Sequence, residues 1–155
     1  MSDARVAEAA RLTATAAAYC AAAWLGVWLS RDAGNVAAFW PADGLLLGVL
    51  LRRRPERWPA PLAACAGAKL VVSLLLGDSL AVSAGFLACN MVQVVSALLL
   101  VEWVAGTPLR LASLRELGAF LLAAGVAAPA IGASTAALVL HHALAAPFWT
   151  VWRTW

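Results

Sequence analysis

The stretch Phe39–Trp58, FWPADGLLLGVLLRRRPERW, constrains this chain more than any other. An aromatic pair and a proline lead into an acid, then a mostly apolar run, then four arginines within six positions. Its two ends suit different surroundings. Trp40 fits a membrane–water interface, where a ring with an apolar body and a polar tip is at home. Pro41 can open a helix, because its missing N–H falls where the donor would be unpaired anyway. Arg52, Arg53, Arg54 and Arg57 hold the far end in the cytoplasm, since short loops rich in Lys and Arg stay there. A crossing element with this polarity sets the direction of everything before and after it.

The rest of the chain has the same solvent. Of its 155 residues 64% are hydrophobic and 12% charged, against about 45–50% and about 25% in a soluble domain. The charges sit in a few short loops and leave long apolar runs between them, the pattern of an integral membrane protein. The net charge of +3 is no nucleic-acid signal, because the arginines end loops rather than line a face. Cys20, Cys65 and Cys89 fall within apolar runs at no metal-ligand spacing, and read as small core residues. The first apolar run reads as a retained helix. Asp3 and Glu8 dilute the charge of Arg5 and Arg11, and the run to Leu29 is long for a cleavable signal.

Hydropathy predicts an all-α fold, a polytopic transmembrane helical bundle with five crossings. Residues 1–11 are expected as a cytoplasmic tail and 12–155 as the membrane domain. The helices fall at about 12–30, 36–52, 60–77, 80–104 and 115–142, the last interrupted at Pro129. Residues 147–155 read as an interfacial segment or the start of a sixth helix. The second crossing is under tension, because Leu45 to Leu51 cannot span about 30 Å at about 1.5 Å per residue. Either the helix begins between Val36 and Trp40, which takes Asp43 to membrane depth, or Val36–Asp43 is an irregular entry covered by other helices.

Placing the N-terminus inside puts Arg5, Arg11, Arg52, Arg53, Arg54, Arg57, Arg110 and Arg115 inside, and only Arg31 and Arg153 outside. The tryptophans then fall near helix ends, as interfacial residues do. The N-terminus is therefore expected in the cytoplasm and the C-terminus in the periplasm. Small residues supply packing faces: Gly118, Gly125 and Gly132 at heptad spacing, Ala60, Ala64, Gly67 and Ala68 on the third helix, and Ala16, Cys20 and Ala23 on the first. The glycine stripe serves either intramolecular packing or a homodimer face.

No catalytic constellation, phosphate-binding glycine loop or metal-ligand cluster is legible, so no enzyme activity, cofactor or metal is expected. His141 and His142 point about 100° apart on a helix and cannot chelate one ion together. The intramembrane polar residues say more, because a charge at bilayer depth faces the bundle interior and finds a partner. Lys69 lies about 12 Å and Asn90 about 15 Å from the outer ends of their helices, so the two are level. Asp43 lies about 5 Å from its outer end, within reach of the flexible lysine stem. Asp43, Lys69, Asn90 and Gln93 are thus expected to gather in the outer half of the bundle. The gathering is either a cavity that senses a ligand or ion, or a pair that fixes helix register. Ser83, Asn90 and Gln93 share one face of their helix.

The order of these features resembles the first type of membrane-associated sensor domain, an N-terminal input module of bacterial histidine kinases and diguanylate cyclases. The residues that carry the likeness are Phe39-Trp40-Pro41-Ala42-Asp43-Gly44 opening a helix, the run into Arg52-Arg53-Arg54 with Trp58-Pro59, the Asn90 helix, the Arg110–Leu117 lead and the Trp149–Trp155 segment. The resemblance implies a sensory module of the inner membrane, without catalysis of its own, that passes a stimulus to a cytoplasmic output domain in two-component or cyclic di-GMP signalling. It also implies a chain longer than this one, so the sequence reads as a truncated form. A binding role for Asp43 comes from the residues and not from the resemblance. Trp40, Pro41, Asp43 and Gly44 would form the bend that shifts. The partners are the lipid bilayer and an output domain or signalling protein. A small transporter or channel subunit that uses Asp43 and Lys69 as a pathway is the rival reading, although no inverted repeat accompanies it.

Overall fold

A computed structural model describes residues 3–30, 41–106, 109 and 111–155. Trp40 lies outside the described residues, as do Arg31 and Arg110. Among those described, every regular element is helical. The chain divides into two compact units, Met1–Ser83 and Ala84–Trp155.

The first unit begins with α1, Asp3–Ser30. The stretch expected as a tail therefore continues the first helix, because residues 3–11 hold alanines and no breaker. Next comes α2, Pro41–Leu50, which opens on its proline and holds only ten residues. As a helix it covers about 15 Å, half of a hydrocarbon core. Of the expected span 36–52, residues 36–40 lie outside the described residues, 41–50 are helical and 51–52 form a turn. A 3₁₀ turn at Pro55–Arg57 leads into α3, Pro59–Leu75. This helix ends in a Schellman motif: Gly77 takes a φ of 93°, its N–H donates to Leu74 O at 3.1 Å, and the Asp78 N–H donates to Ser73 O at 3.1 Å. The positive φ is why a glycine stands there. Helix α1 packs on both α2 and α3, and α2 packs on α3.

Helix α4, Leu80–Ala105, starts in the first unit and supplies the opening of the second. Helix α5, Leu114–Leu122, has its first turn closed by its cap. Ser113 Oγ accepts from the Glu116 N–H at 3.2 Å, and Glu116 Oε2 accepts from the Ala112 N–H at 2.9 Å. The α-helix is interrupted just before Pro129, as expected. Its ring would collide with the carbonyl four residues back. The chain widens into a π segment, Ala123–Ala127, and resumes as α6, Ala128–Leu144, with the Ala128 N–H donating to Ala123 O. Ala145 then turns left-handed with a φ of 52°, and the His141 ring donates from Nδ1 to Ala146 O at 2.9 Å. Helix α7, Phe148–Thr154, folds back on α6.

Three described helices are long and apolar enough to cross a membrane: Pro55–Leu75, Leu80–Ala105 and Leu114–Ala143. Their outer faces carry large apolar side chains. Leu114 is 87% exposed, Trp103 82% and Leu75 74%. Exposure on this scale is costly in water and costless in lipid.

Candidate functional site

Each of α1, α2 and α3 turns polar side chains inward, and α3 buries Ser73 as well as Lys69. Tyr19 of α1 is fully buried, and Asp43 of α2 and Lys69 of α3 nearly so. The Tyr19 hydroxyl donates to Asp43 Oδ1 at 3.1 Å. Lys69 lies within the electrostatic influence of the Asp43 and Asp78 carboxylates. Asp43 stands in the first turn of its helix, where the free N–H groups and the helix dipole favour an anion. Beside this cluster the Cys20 thiol donates to Ala68 O at 3.8 Å, a contact that draws α1 against α3. Ser83, at the end of the first unit, is fully buried, and its hydroxyl has no hydrogen-bond partner among the described residues.

Pro41 and Gly44 bracket Asp43 on α2. A Cβ built at Gly44 would meet nothing within 4 Å, so no close backbone approach requires a glycine there. Asn90 and Gln93 belong to the second unit. Asn90 is buried and Gln93 half-buried. Gln93 Oε1 accepts from the indole of Trp155 at 3.0 Å, and Trp155 stacks on Phe86 with ring centroids 5.8 Å apart. The indole of Trp152 donates to Ser134 Oγ at 3.1 Å, and that hydroxyl donates to Ala130 O at 2.8 Å. Gly132 lets Gln93 in: a Cβ there would lie 3.0 Å from Gln93 Cβ and Cδ and would collide with Oε1. Of the glycine stripe, only Gly132 meets such a neighbour, and Gly118 and Gly125 have open space.

Sequence reasoning missed Tyr19. It is the one tyrosine of the chain, set in an alanine-rich helix, and a buried phenol needs an acceptor. It also left the partners of the C-terminal tryptophans unassigned. The first-unit cluster thus sets a phenol on an acid, with a buried lysine on the neighbouring helix. Among the described residues no three His, Cys, Asp or Glu side chains could hold a metal ion.

A family model, MASE1, matches residues 10–155. No curated protein and no solved structure matches the chain significantly. The matched span covers nearly all of the sequence, from within α1 to α7. The chain therefore belongs to MASE1, the family of membrane-associated sensor domains that signalling proteins use as input modules.

Proposed function

We propose that this chain is the sensory input domain of a bacterial inner-membrane signalling protein, and that its stimulus is read at the Tyr19–Asp43–Lys69 cluster. The carrying observation is that α1, α2 and α3 each commit a polar side chain to the buried interior, with the Tyr19 hydroxyl on Asp43 at 3.1 Å. Such groups are expensive at membrane depth and favour an arrangement in which each has a partner. A ligand or ion that bound Asp43 or Lys69 would change those partnerships and bias the packing of α2, the short helix, against its neighbours. Pro41 opens that helix and would move with it, and Trp40, the residue before it in the sequence, is proposed to belong to the same bend. Asn90 and Gln93 would form a second polar locus that fixes α4. The domain does no chemistry of its own in this reading. It passes a packing change to a cytoplasmic output domain, of the two-component or cyclic di-GMP kind.

The arginine count supports five crossings with the N-terminus in the cytoplasm, since eight arginines fall inside and two outside. Reporter fusions after Arg54 and Arg115 check this, and a periplasmic signal at either refutes it. The sensing claim is checked in the intact encoded protein with Asp43→Asn and Lys69→Met. Both are expected to alter output activity while membrane-inserted protein persists. Output equal to wild type from both variants refutes the cluster as the sensor.

A further inference from the structure

The arginine turn between α2 and α3 is a built structure. The Arg53 N–H donates to Leu50 O and the Arg57 N–H to Arg54 O, both at 2.9 Å, and the Trp58 N–H donates to Pro55 O at 3.1 Å. The indole of Trp58 donates to Arg53 O at 3.2 Å. Arg53 itself is turned inward, 2.6 Å from Glu8 of α1. That hydrogen bond, with the charges of Arg11 and Arg57, holds the Glu8 carboxyl below its ordinary range. Arg53 is thus spent on one carboxylate, while Arg11, Arg52, Arg54 and Arg57 stay exposed. These five arginines with Glu8 and Glu56 carry a net +3, equal to the formal charge of the whole chain.

A guanidinium presents a planar fork of donors that matches phosphate oxygens two at a time. The helix terminus beside it adds little, because Pro59 and Pro61 lack N–H groups and the Leu62 N–H is spent on Trp58 O at 3.1 Å. The surface that continues from the turn is apolar. Ala60, Ala63, Gly67, Val71 and Leu74 form one exposed stripe along α3, with open space at Gly67. A basic, rigid turn above an apolar stripe has the shape of a two-part ligand with an anionic head and a hydrocarbon tail.

We propose that this turn binds the phosphate headgroup of an anionic phospholipid, with Arg52, Arg54 and Arg57 on the phosphate, the acyl chain along the α3 stripe, and Arg53 as the strut that ties the turn to Glu8. The proposal needs α3 to cross the membrane and does not depend on which side the turn faces. Basic clusters next to a membrane helix recruit anionic lipid at about fivefold in affinity per arginine. The test uses the full chain in nanodiscs of mixed phosphatidylethanolamine and phosphatidylglycerol, or of phosphatidylcholine, with retained lipid counted by native mass spectrometry. Wild type is expected to retain phosphatidylglycerol over phosphatidylcholine, and excess inorganic phosphate to leave it in place. The triple variant Arg52→Gln, Arg54→Gln, Arg57→Gln is expected to retain at least about tenfold less. The pair Arg115→Gln, Arg153→Gln is expected to match wild type. Because losing three arginines can disturb insertion, the corresponding triple lysine variant is measured too. It keeps the charge and should insert normally, yet hold clearly less lipid than wild type. Equal retention of the two lipids by wild type overturns the proposal. So does full displacement by inorganic phosphate, equal loss in the Arg115/Arg153 control, or undiminished retention by either triple variant.

Discussion

Gly132→Ala sets a methyl group where Gln93 already is. The new Cβ would lie 3.0 Å from Gln93 Cβ and Cδ and closer still to Oε1, so Gln93 must swing away. That movement breaks its 3.0 Å bond from the Trp155 indole. Overpacking of this kind costs about 1–3 kcal/mol. The lost hydrogen bond adds about 0.5–1.5 kcal/mol, toward the low end within a membrane. The gain in helix propensity returns about 1 kcal/mol. The net expectation is a loss of about 0.5–3.5 kcal/mol. Gly125→Ala is the control, because its Cβ meets nothing within 4 Å and only the propensity gain of up to about 1 kcal/mol applies. Both are measured by titrating SDS into detergent-solubilised protein, following far-UV circular dichroism and tryptophan emission. In a Gln93→Ala background, which removes the amide but keeps Cβ, the cost of Gly132→Ala should fall. If Gly132→Ala unfolds at the same SDS fraction as Gly125→Ala, or later, the contact does not hold the second unit and the reasoning fails.

Tyr19→Phe removes the donor to Asp43 and should cost about 1.5–3 kcal/mol, because the acceptor is a charged group in a buried place; the same substitution in an Asp43→Asn background should cost less, and equal costs would show the bond to be idle. Gly44→Ala should be neutral or stabilising by up to about 1 kcal/mol, since its Cβ has free space; loss of folded protein would mean that the start of α2 needs a glycine after all. The Glu8 carboxyl lies below the ordinary 4.5 in the folded protein, chiefly through its hydrogen bond with Arg53. A depressed carboxyl stabilises fully above the unfolded value and loses that effect as pH falls through the folded one. The melting-temperature gap between wild type and Glu8→Gln should therefore be constant near neutral pH and close as the pH falls below the ordinary 4.5. A gap that persists unchanged through that window refutes the pairing.

The helical, membrane-seeking character of the protein was legible residue by residue. Apolar runs longer than a soluble helix needs, arginines gathered at loops and prolines at helix starts are local signals, and local signals survive without a fold. The ends of α3 and α4 fell within about two residues of the expected bounds for that reason, as helix ends generally do. Pro129 shows the limit. From sequence it reads as an interruption, and the structure gives that interruption its form, a widened turn that restores the backbone bonds one residue over. Asp43 and Lys69 were legible as candidates because charge in an apolar run is rare.

The sequence alone therefore determined the solvent, the helical class, the basic charge of the arginine turn and the short list of buried polar groups. The tertiary structure decided the partners. It brought Tyr19 onto Asp43 across 24 positions and Trp155 onto Gln93 across 62, separations at which no periodicity links one residue to another. It also gave Gly132 a packing role and left Gly118 and Gly125 without one, although all three sit on the same heptad. Over residues 41–58 it formed one α-helix at 41–50 and a 3₁₀ turn at Pro55–Arg57, and it turned Arg53 inward onto Glu8. The physical reason is common to all of these. Hydropathy is a property of each side chain, whereas a hydrogen bond, an ion pair or a steric exclusion is a property of two, and their meeting is set by how the helices pack.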